Sequence, residues 1–218
     1  MPALAASRTR AGEVPRALAI WVDTRRSSVG ARVIGVTDGS LFTDERRVDL
    51  AVVNGTVPAD IDSDVLLLAM IDRFGKGTGT GLGFVQGFKL KNGAIASTAN
   101  AVCENIVIVG TNPKDMAVAA NHLAEIGGGK VVVRGGEVVA SVPLPICGLM
   151  SEEPLETVMA RFDRAFGEIA KLGCALKNPF STLEFCFACG EIGHIKLSEE
   201  GLLVFDPDPR KADVLLVA

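Results

Sequence analysis

Two cysteines and a histidine near the end of the chain have a spacing that could bind a metal ion. In "CFACGEIGH", Cys186, Cys189 and His194 follow the pattern C-x2-C-x4-H. A structural zinc site needs a further ligand, usually another Cys or His, and the position where a zinc knuckle would carry it is Glu199. We therefore expect no metal ion and no cofactor, and we expect both cysteines to pack around the end of a strand.

A glycine-rich loop, "GKGTGTGLG" at residues 75–83, offers Lys76 and flexible backbone N–H groups that could hold a phosphate. It matches neither the P-loop pattern nor the glycine pattern of dinucleotide-binding folds, and no helical pattern follows it. The sequence therefore predicts a mobile loop that covers a ligand site. It does not favour a phosphate-binding loop.

The middle of the chain predicts a strand, a helix and a strand in "ENIVIVGTNPKDMAVAANHLAEIGGGKVVV" (104–133). Asn112 can cap the helix and Pro113 fits its first turn. Gly135 and Gly136 then predict a two-residue hairpin turn. The apolar face of this helix consists of Met116, Ala119, Ala120, Leu123 and Ile126.

A second helix is predicted from about Pro154 to Leu172. Strands are predicted in "VDLAVVNG", in "VLLLAMIDRF" and in two C-terminal segments, "LLVF" and "DVLLV", which would complete one mixed sheet. The expected fold is α+β or α/β, a mixed β-sheet with two main helices. We expect residues 1–16 to be a disordered leader and residues 17–218 to form a single domain. The predicted buried side of the second helix is Leu155, Val158, Met159, Phe162, Phe166 and Ile169.

Composition argues against two classes of partner. The 218 residues include 22 basic and 26 acidic side chains, for a formal net charge of −4, so we expect no nucleic acid partner. The apolar runs are too short to cross a bilayer, so we expect no membrane partner. The five cysteines are an odd number and no secretory signal pattern is present, which favours a cytoplasmic location.

Several motifs in order resemble the C-terminal domain of adenine deaminases. They are "GFVQGFKLKNGAIAST" (84–98), the strand–helix–strand segment (104–133), "PLPICGLMS" (143–151), "IDR" (71–73) and "NPFSTLEF" (178–185). The resemblance implies a domain that follows a metal-dependent amidohydrolase barrel, in an enzyme that converts adenine to hypoxanthine and ammonia. We expect no barrel here, because the 64 residues before Val65 are fewer than the roughly 200 that a barrel needs.

The chain departs from that family where the family carries reactive groups. Between "GAIAST" and "NIVIVGTN" the family carries a His-Asp-Ser-His run. Aligned on Asn105, the histidine positions of that run are Ala101 and Glu104 here, and the aspartate position is Val102. After "IDR" the family tends to have histidine, whereas this chain has Phe74. Deamination of adenine by this chain alone is therefore not expected, because a metal-bound hydroxide needs several His and carboxylate ligands.

Other residues at these positions could supply different chemistry. Cys103, with a lowered pKa, would be a nucleophile, Glu104 a proton acceptor, and Asp72 a second carboxylate. The alternative is that Cys103 is a small buried apolar residue and the charged groups are solvated strand ends. The candidates for binding substrate are Arg73, Asn100 and Asn105.

Two functions from different classes remain open. One is a small hydrolase that acts on C–N bonds of a purine-like ring or another cyclic amide or amidine. The other is a non-catalytic domain that binds such a ligand or docks on a separate amidohydrolase subunit. In both cases the partner is a cyclic, nitrogen-containing small molecule. An apolar surface that a barrel would cover also predicts a homo-oligomer or a partner subunit.

Overall fold

A nine-stranded mixed sheet lies at the centre of the chain. In the computed structural model, a smaller three-stranded sheet and helices pack against its two faces. The model describes residues 14–23, 25–74, 79–100, 104–187, 193–205 and 208–216. The strands are β1 (Ser28–Gly35), β2 (Asp44–Ala51), β3 (Val65–Ile71), β4 (Thr80–Gln86), β5 (Ala94–Ser97), β6 (Ile106–Gly110), β7 (Gly129–Arg134), β8 (Glu137–Pro143), β9 (Ile195–Ser198), β10 (Gly201–Phe205), β11 (Pro209–Ala212) and β12 (Leu215–Leu216). The helices are α1 (Val14–Ala17), α2 (Pro113–Glu125), α3 (Leu155–Lys171) and α4 (Pro179–Glu184).

The strand order of the large sheet is β12-β1-β4-β3-β6-β5-β7-β8, with β2 paired to β1. The β1–β4 pair is parallel, and the other pairs of this sheet are antiparallel. The expected mixed sheet with two main helices is therefore confirmed, in its α+β form. None of the helices in the described ranges is long and apolar enough to cross a membrane.

The large sheet is covered on both faces, which explains why its central strands are apolar throughout. On one face, Leu66, Leu68 and Met70 of β3 belong to a core that includes residues of α3, α4 and the three-stranded sheet. On the other face, Leu67 and Ala69 of the same strand share a core with the apolar side of α2. The α2 face predicted from the sequence packs there, with Ile126 only partly buried.

Local signals placed α2 and the hairpin after it correctly. The side chain of Asn112 caps the helix, because its Oδ1 accepts a hydrogen bond from Asp115 N at 2.9 Å. The Asp115 carboxylate accepts a second bond from Gly136 N at 2.6 Å, which joins the start of α2 to the β7–β8 turn. Gly135 and Gly136 both have positive φ, as the predicted two-residue turn requires.

Two sequence predictions about packing were wrong. In α3, Leu155 is 70% exposed and Met159 is 50% exposed, because neither reaches the core that Ala165 and Ile169 in the second half of this helix join. The segment "LLVF" (202–205) does not extend the large sheet. It forms β10 of the three-stranded sheet β11-β10-β9, because Leu202 and Val204 point into the core on the face of the large sheet.

The three-stranded sheet approaches the large sheet so closely at Gly81 that a side chain cannot fit. A Cβ atom built on Gly81 would lie 1.8 Å from the carbonyl oxygen of Ser198. We expect Gly81→Ala to lower the free energy of unfolding by about 1–3 kcal/mol, since the backbones must separate. Urea denaturation measures the change. The matched control is Gly167→Ala, which has open space around it on α3 and should stabilise the protein by about 1 kcal/mol. Equal midpoints for Gly81→Ala and wild type would contradict this packing.

Candidate functional site

Four strand ends meet at one edge of the large sheet. Ile71, the last residue of β3, pairs with Ile106, the first residue of β6. Strand β5 runs antiparallel to both β6 and β7, so it ends at the same edge. Residues 72–74, 98–100 and 104–105, which follow or precede these strands, are therefore neighbours. We call this region the polar edge.

Asn100 organises the turn that leads into β6. It is 3% exposed, its Nδ2 donates to the carbonyl oxygen of Asn105 at 3.0 Å, and its Oδ1 accepts from Glu104 N at 3.0 Å. These bonds hold Glu104 in a left-handed conformation with φ of +53°, which residues other than glycine seldom adopt. Strained backbone of this kind clusters at functional sites. Cys103 lies outside the described residues.

The adjacent segment, which follows β3, is tied to the same turn. Asn105 Oδ1 accepts a hydrogen bond from Arg73 N at 3.3 Å. The Asp72 carboxylate accepts one from Phe74 N at 2.9 Å, which closes a local turn. The geometry thus brings Arg73, Asn100, Glu104 and Asn105 together, and Asp72 lies next to Arg73 in the same segment. The roles predicted for all of them in catalysis or substrate binding stay predictions.

The guanidinium of Arg73 is held by a loop that the sequence reasoning did not include. One of its NH2 groups donates to the carbonyl oxygen of Cys147, and its charge lies 4.8 Å from the centre of the Phe74 ring. Its Nε is buried without a hydrogen-bond partner among the described residues. Cβ atoms built on Gly128 and Gly148 would lie 2.9 and 2.3 Å from its NH1. Two glycines therefore make the space that this side chain occupies.

The charges at the polar edge are complementary. Burial lowers the pKa of Arg73, and the nearby Glu104 carboxylate and Cys147 side chain partly oppose this shift. Arg73 remains a cation at neutral pH, because its ordinary pKa is far above 7. A cationic fork of N–H donors and a carboxylate acceptor thus lie close together, next to an aromatic ring that is 49% exposed. Such a set can bind a flat ring that carries both hydrogen-bond donors and acceptors.

Cys147 is the residue at this edge that sequence reasoning missed. Its side chain is exposed, whereas Cys174 and Cys186 are buried, and its φ of +57° is left-handed. The signal that could have revealed it is its position before Gly148 in "PLPICGLMS", one of the motifs that carry the resemblance. Arg73 and Cys147 are 74 positions apart in the chain, so only the fold shows that they meet.

The zinc pattern finds no support in the part of it that the structure describes. Cys186 is fully buried, and its Sγ donates to the carbonyl oxygen of Thr182 at 3.3 Å. His194 N donates to the carbonyl oxygen of Thr43 at 3.0 Å. Cys189 lies outside the described residues, as do residues 75–78 of the glycine-rich loop. Across the described ranges, no group of three or more His, Cys, Asp and Glu side chains could hold a metal ion, and the absence of metal stays a prediction.

A second polar cluster, also missed from the sequence, lies beneath the polar edge. Ser97, at the end of β5, donates to Glu184 Oε1 at 2.9 Å. Lys130 Nζ donates to Ser97 Oγ at 3.1 Å and forms an ion pair with Glu184. The ammonium also lies 4.9 Å from the centre of the Phe180 ring. These four residues attach α4 to the strand that leads into the polar edge.

Comparison with known proteins agrees with the resemblance seen in the motifs. The sequence model of the adenine deaminase C-terminal domain family matches residues 40–207. An adenine deaminase of Brucella melitensis is 42% identical over 194 residues, which are 89% of this chain and 33% of that protein. One from Moorella thermoacetica is 40% identical over 178 residues, 82% of this chain and 30% of that protein. The chain thus spans about a third of the length of these relatives.

Proposed function

Because the chain belongs to the family of adenine deaminase C-terminal domains, we propose that it binds a purine-like ring, or another cyclic amide or amidine, at the polar edge. The observation that carries this proposal is the hydrogen-bonded turn that holds Glu104 near Arg73, whose guanidinium lies 4.8 Å from the centre of the Phe74 ring. An amidine edge presents an amino donor and a ring-nitrogen acceptor. Glu104 can accept from the first, Arg73 can donate to the second, and the exposed Phe74 ring can stack on the face.

Hydrolysis of a C–N bond is the catalytic form of this proposal. Water would add to the ring carbon that carries the amino group, and Glu104 would take a proton from the water and pass it to the departing nitrogen. Ammonia would leave, the second proton of the water would pass to the adjacent ring nitrogen, and the oxygen would remain on the ring as a carbonyl. Glu104 supports this form because its charge acts on Arg73 and the Asn100 side chain fixes its backbone. Cys103 would be the nucleophile in a covalent variant.

Titration calorimetry with adenine as the probe tests both forms. We expect Glu104→Gln to weaken binding about tenfold or more, because a hydrogen bond to a charged group is worth about 1.5–3 kcal/mol. The matched control is Glu137→Gln, which changes an exposed acid at the hairpin turn. Release of ammonia by wild type but not by Glu104→Gln would establish catalysis, and binding without ammonia would leave a binding domain. An absence of binding, or equal affinity in Glu104→Gln, would refute the proposal.

Docking on another subunit is a second candidate function. Leu155 and Met159 on α3 are largely exposed, as is Met150 in the loop before it. Exposed apolar side chains that cluster on one side of a protein mark interaction surfaces. The partner would be a second copy of this chain or a separate amidohydrolase barrel. Light scattering of the purified chain separates these cases: a stable dimer favours the second copy, and a monomer that associates only with a barrel subunit favours docking.

A further inference from the structure

A charged cavity lies between β1 and β2 on one side and the three-stranded sheet on the other. Its volume is about 590 Å³, within the range of roughly 300–1,000 Å³ in which small-molecule sites fall. None of the described residues that line it belongs to the polar edge. Among those residues, four are Lys or Arg and three are Asp or Glu, so they carry a positive excess in a chain whose net charge is −4.

On the inner wall, two arginines share one carboxylate. Arg32 NH1 and Arg47 Nε lie 2.7 and 2.9 Å from the same oxygen, Oε1 of Glu45. Although burial by itself raises the pKa of Glu45, the hydrogen bonds and charges of Arg47 and Arg32 outweigh it and hold that pKa below its ordinary value. Glu45 is therefore ionised at neutral pH and neutralises only one of the two guanidinium groups.

Arg32 also has a donor that the described protein does not use. Its side chain is 22% exposed, and its Nε is buried without a hydrogen-bond partner among the described residues. A buried donor without a partner costs about 1–3 kcal/mol, and such groups in native proteins often mark the place of an ion or water. Arginine can bind the two oxygens of a carboxylate or phosphate through the edge of its guanidinium group that carries Nε.

The opposite wall supplies further cations from β11. Lys211 forms an ion pair with Glu200 at 2.5 Å, and both side chains are more than half exposed. Arg210, next to Lys211, is exposed on the same strand. His194 also lines the cavity. Cations therefore line the cavity on both walls.

We propose that this cavity binds the phosphate or carboxylate group of a small organic anion. The oxyanion contacts Arg32 on the inner wall, where it supplies the second negative charge that Glu45 does not provide. Arg210 approaches it from β11. The site is separate from the polar edge and does not depend on the ring-binding proposal.

Titration calorimetry with inorganic pyrophosphate and with citrate tests this proposal. We expect at least one of them to bind, and we expect both Arg32→Gln and Arg210→Gln to weaken that binding at least fivefold. The control is Arg161→Gln, an exposed arginine of α3 that pairs with Glu153, and it should leave the affinity unchanged. Binding of pyrophosphate alone identifies a phosphate site, and binding of citrate alone identifies a carboxylate site.

Two results would overturn the proposal. One is that neither anion binds to wild type, and the other is that Arg161→Gln weakens binding as much as Arg210→Gln does, which indicates a general ionic effect. Arg210 is exposed, so its variant folds even if Arg32→Gln does not, and it decides the outcome. Adenine binding should be unaffected by Arg210→Gln, which keeps this test distinct from that of the polar edge.

Discussion

Replacement of Lys130 by methionine is expected to lower the free energy of unfolding by about 3–5 kcal/mol, the usual cost of removing one partner from a buried ion pair. The side chains of Lys130 and Glu184 are only 10% and 15% exposed. Without the ammonium, the Glu184 carboxylate keeps the bond from Ser97 but loses its counter-charge. Chemical denaturation of the variant and of wild type, at the same pH, measures the difference.

Two controls define what this loss means. Lys171→Met removes a lysine that is 63% exposed and pairs with Glu168, and it should cost less than about 1 kcal/mol. The double variant Lys130→Met with Glu184→Leu removes both charges and should recover most of the lost stability. If the free energy of unfolding of Lys130→Met lies within about 1 kcal/mol of the wild-type value, the pair is solvated and does not fix α4 against the sheet.

Replacement of Arg73 by methionine is expected to weaken adenine binding by about 10- to 100-fold, because hydrogen bonds to a charged group are worth about 1.5–3 kcal/mol. The methionine keeps much of the packing between Gly128 and Gly148 but offers no donor. Arg73→Lys keeps the charge and loses the planar fork, so its affinity for adenine should lie between those of wild type and Arg73→Met. Calorimetry gives the affinities, and circular dichroism verifies that each variant is folded.

The comparison of these variants separates binding from structure. Arg73 also donates to the carbonyl oxygen of Cys147, so its loss alters the loop as well as the ligand contact. A purely structural role would lower the thermal midpoint in Arg73→Met while leaving the adenine affinity within twofold of wild type. That outcome would remove Arg73 from the proposed site.

The sequence predicted best those elements whose signals are local. The β6–α2–β7 unit follows from an apolar run, the Asn112 cap and a helical apolar face, all of which act over a few residues. The same holds for the turn at Gly135 and Gly136. The polar segments at residues 72–74 and 104–105 each adjoin an apolar strand, and the pairing of β3 with β6 brings them together.

Features that depend on distant contacts could not be predicted in this way. The apolar pattern of α3 gives a face, but it does not say that Leu155 and Met159 lie beyond the core that the second half of the helix joins. Lys130 directly precedes three buried valines in β7, and its partner Glu184 is 54 positions away. Nothing local indicates that these charges meet. The contact of Arg73 with the Cys147 loop was missed for the same reason.

The most direct test of the central claim is an amide NMR titration of the intact chain with adenine. If the polar edge binds the ring, the amide signals of residues 72–74, 98–100, 104–105 and 147–148 should shift together and saturate with one affinity. The same signals should respond weakly in Glu104→Gln. Shifts that are absent at millimolar adenine, or that are confined to β9, β10 and β11, would show that the ring does not bind at this edge and would contradict the account.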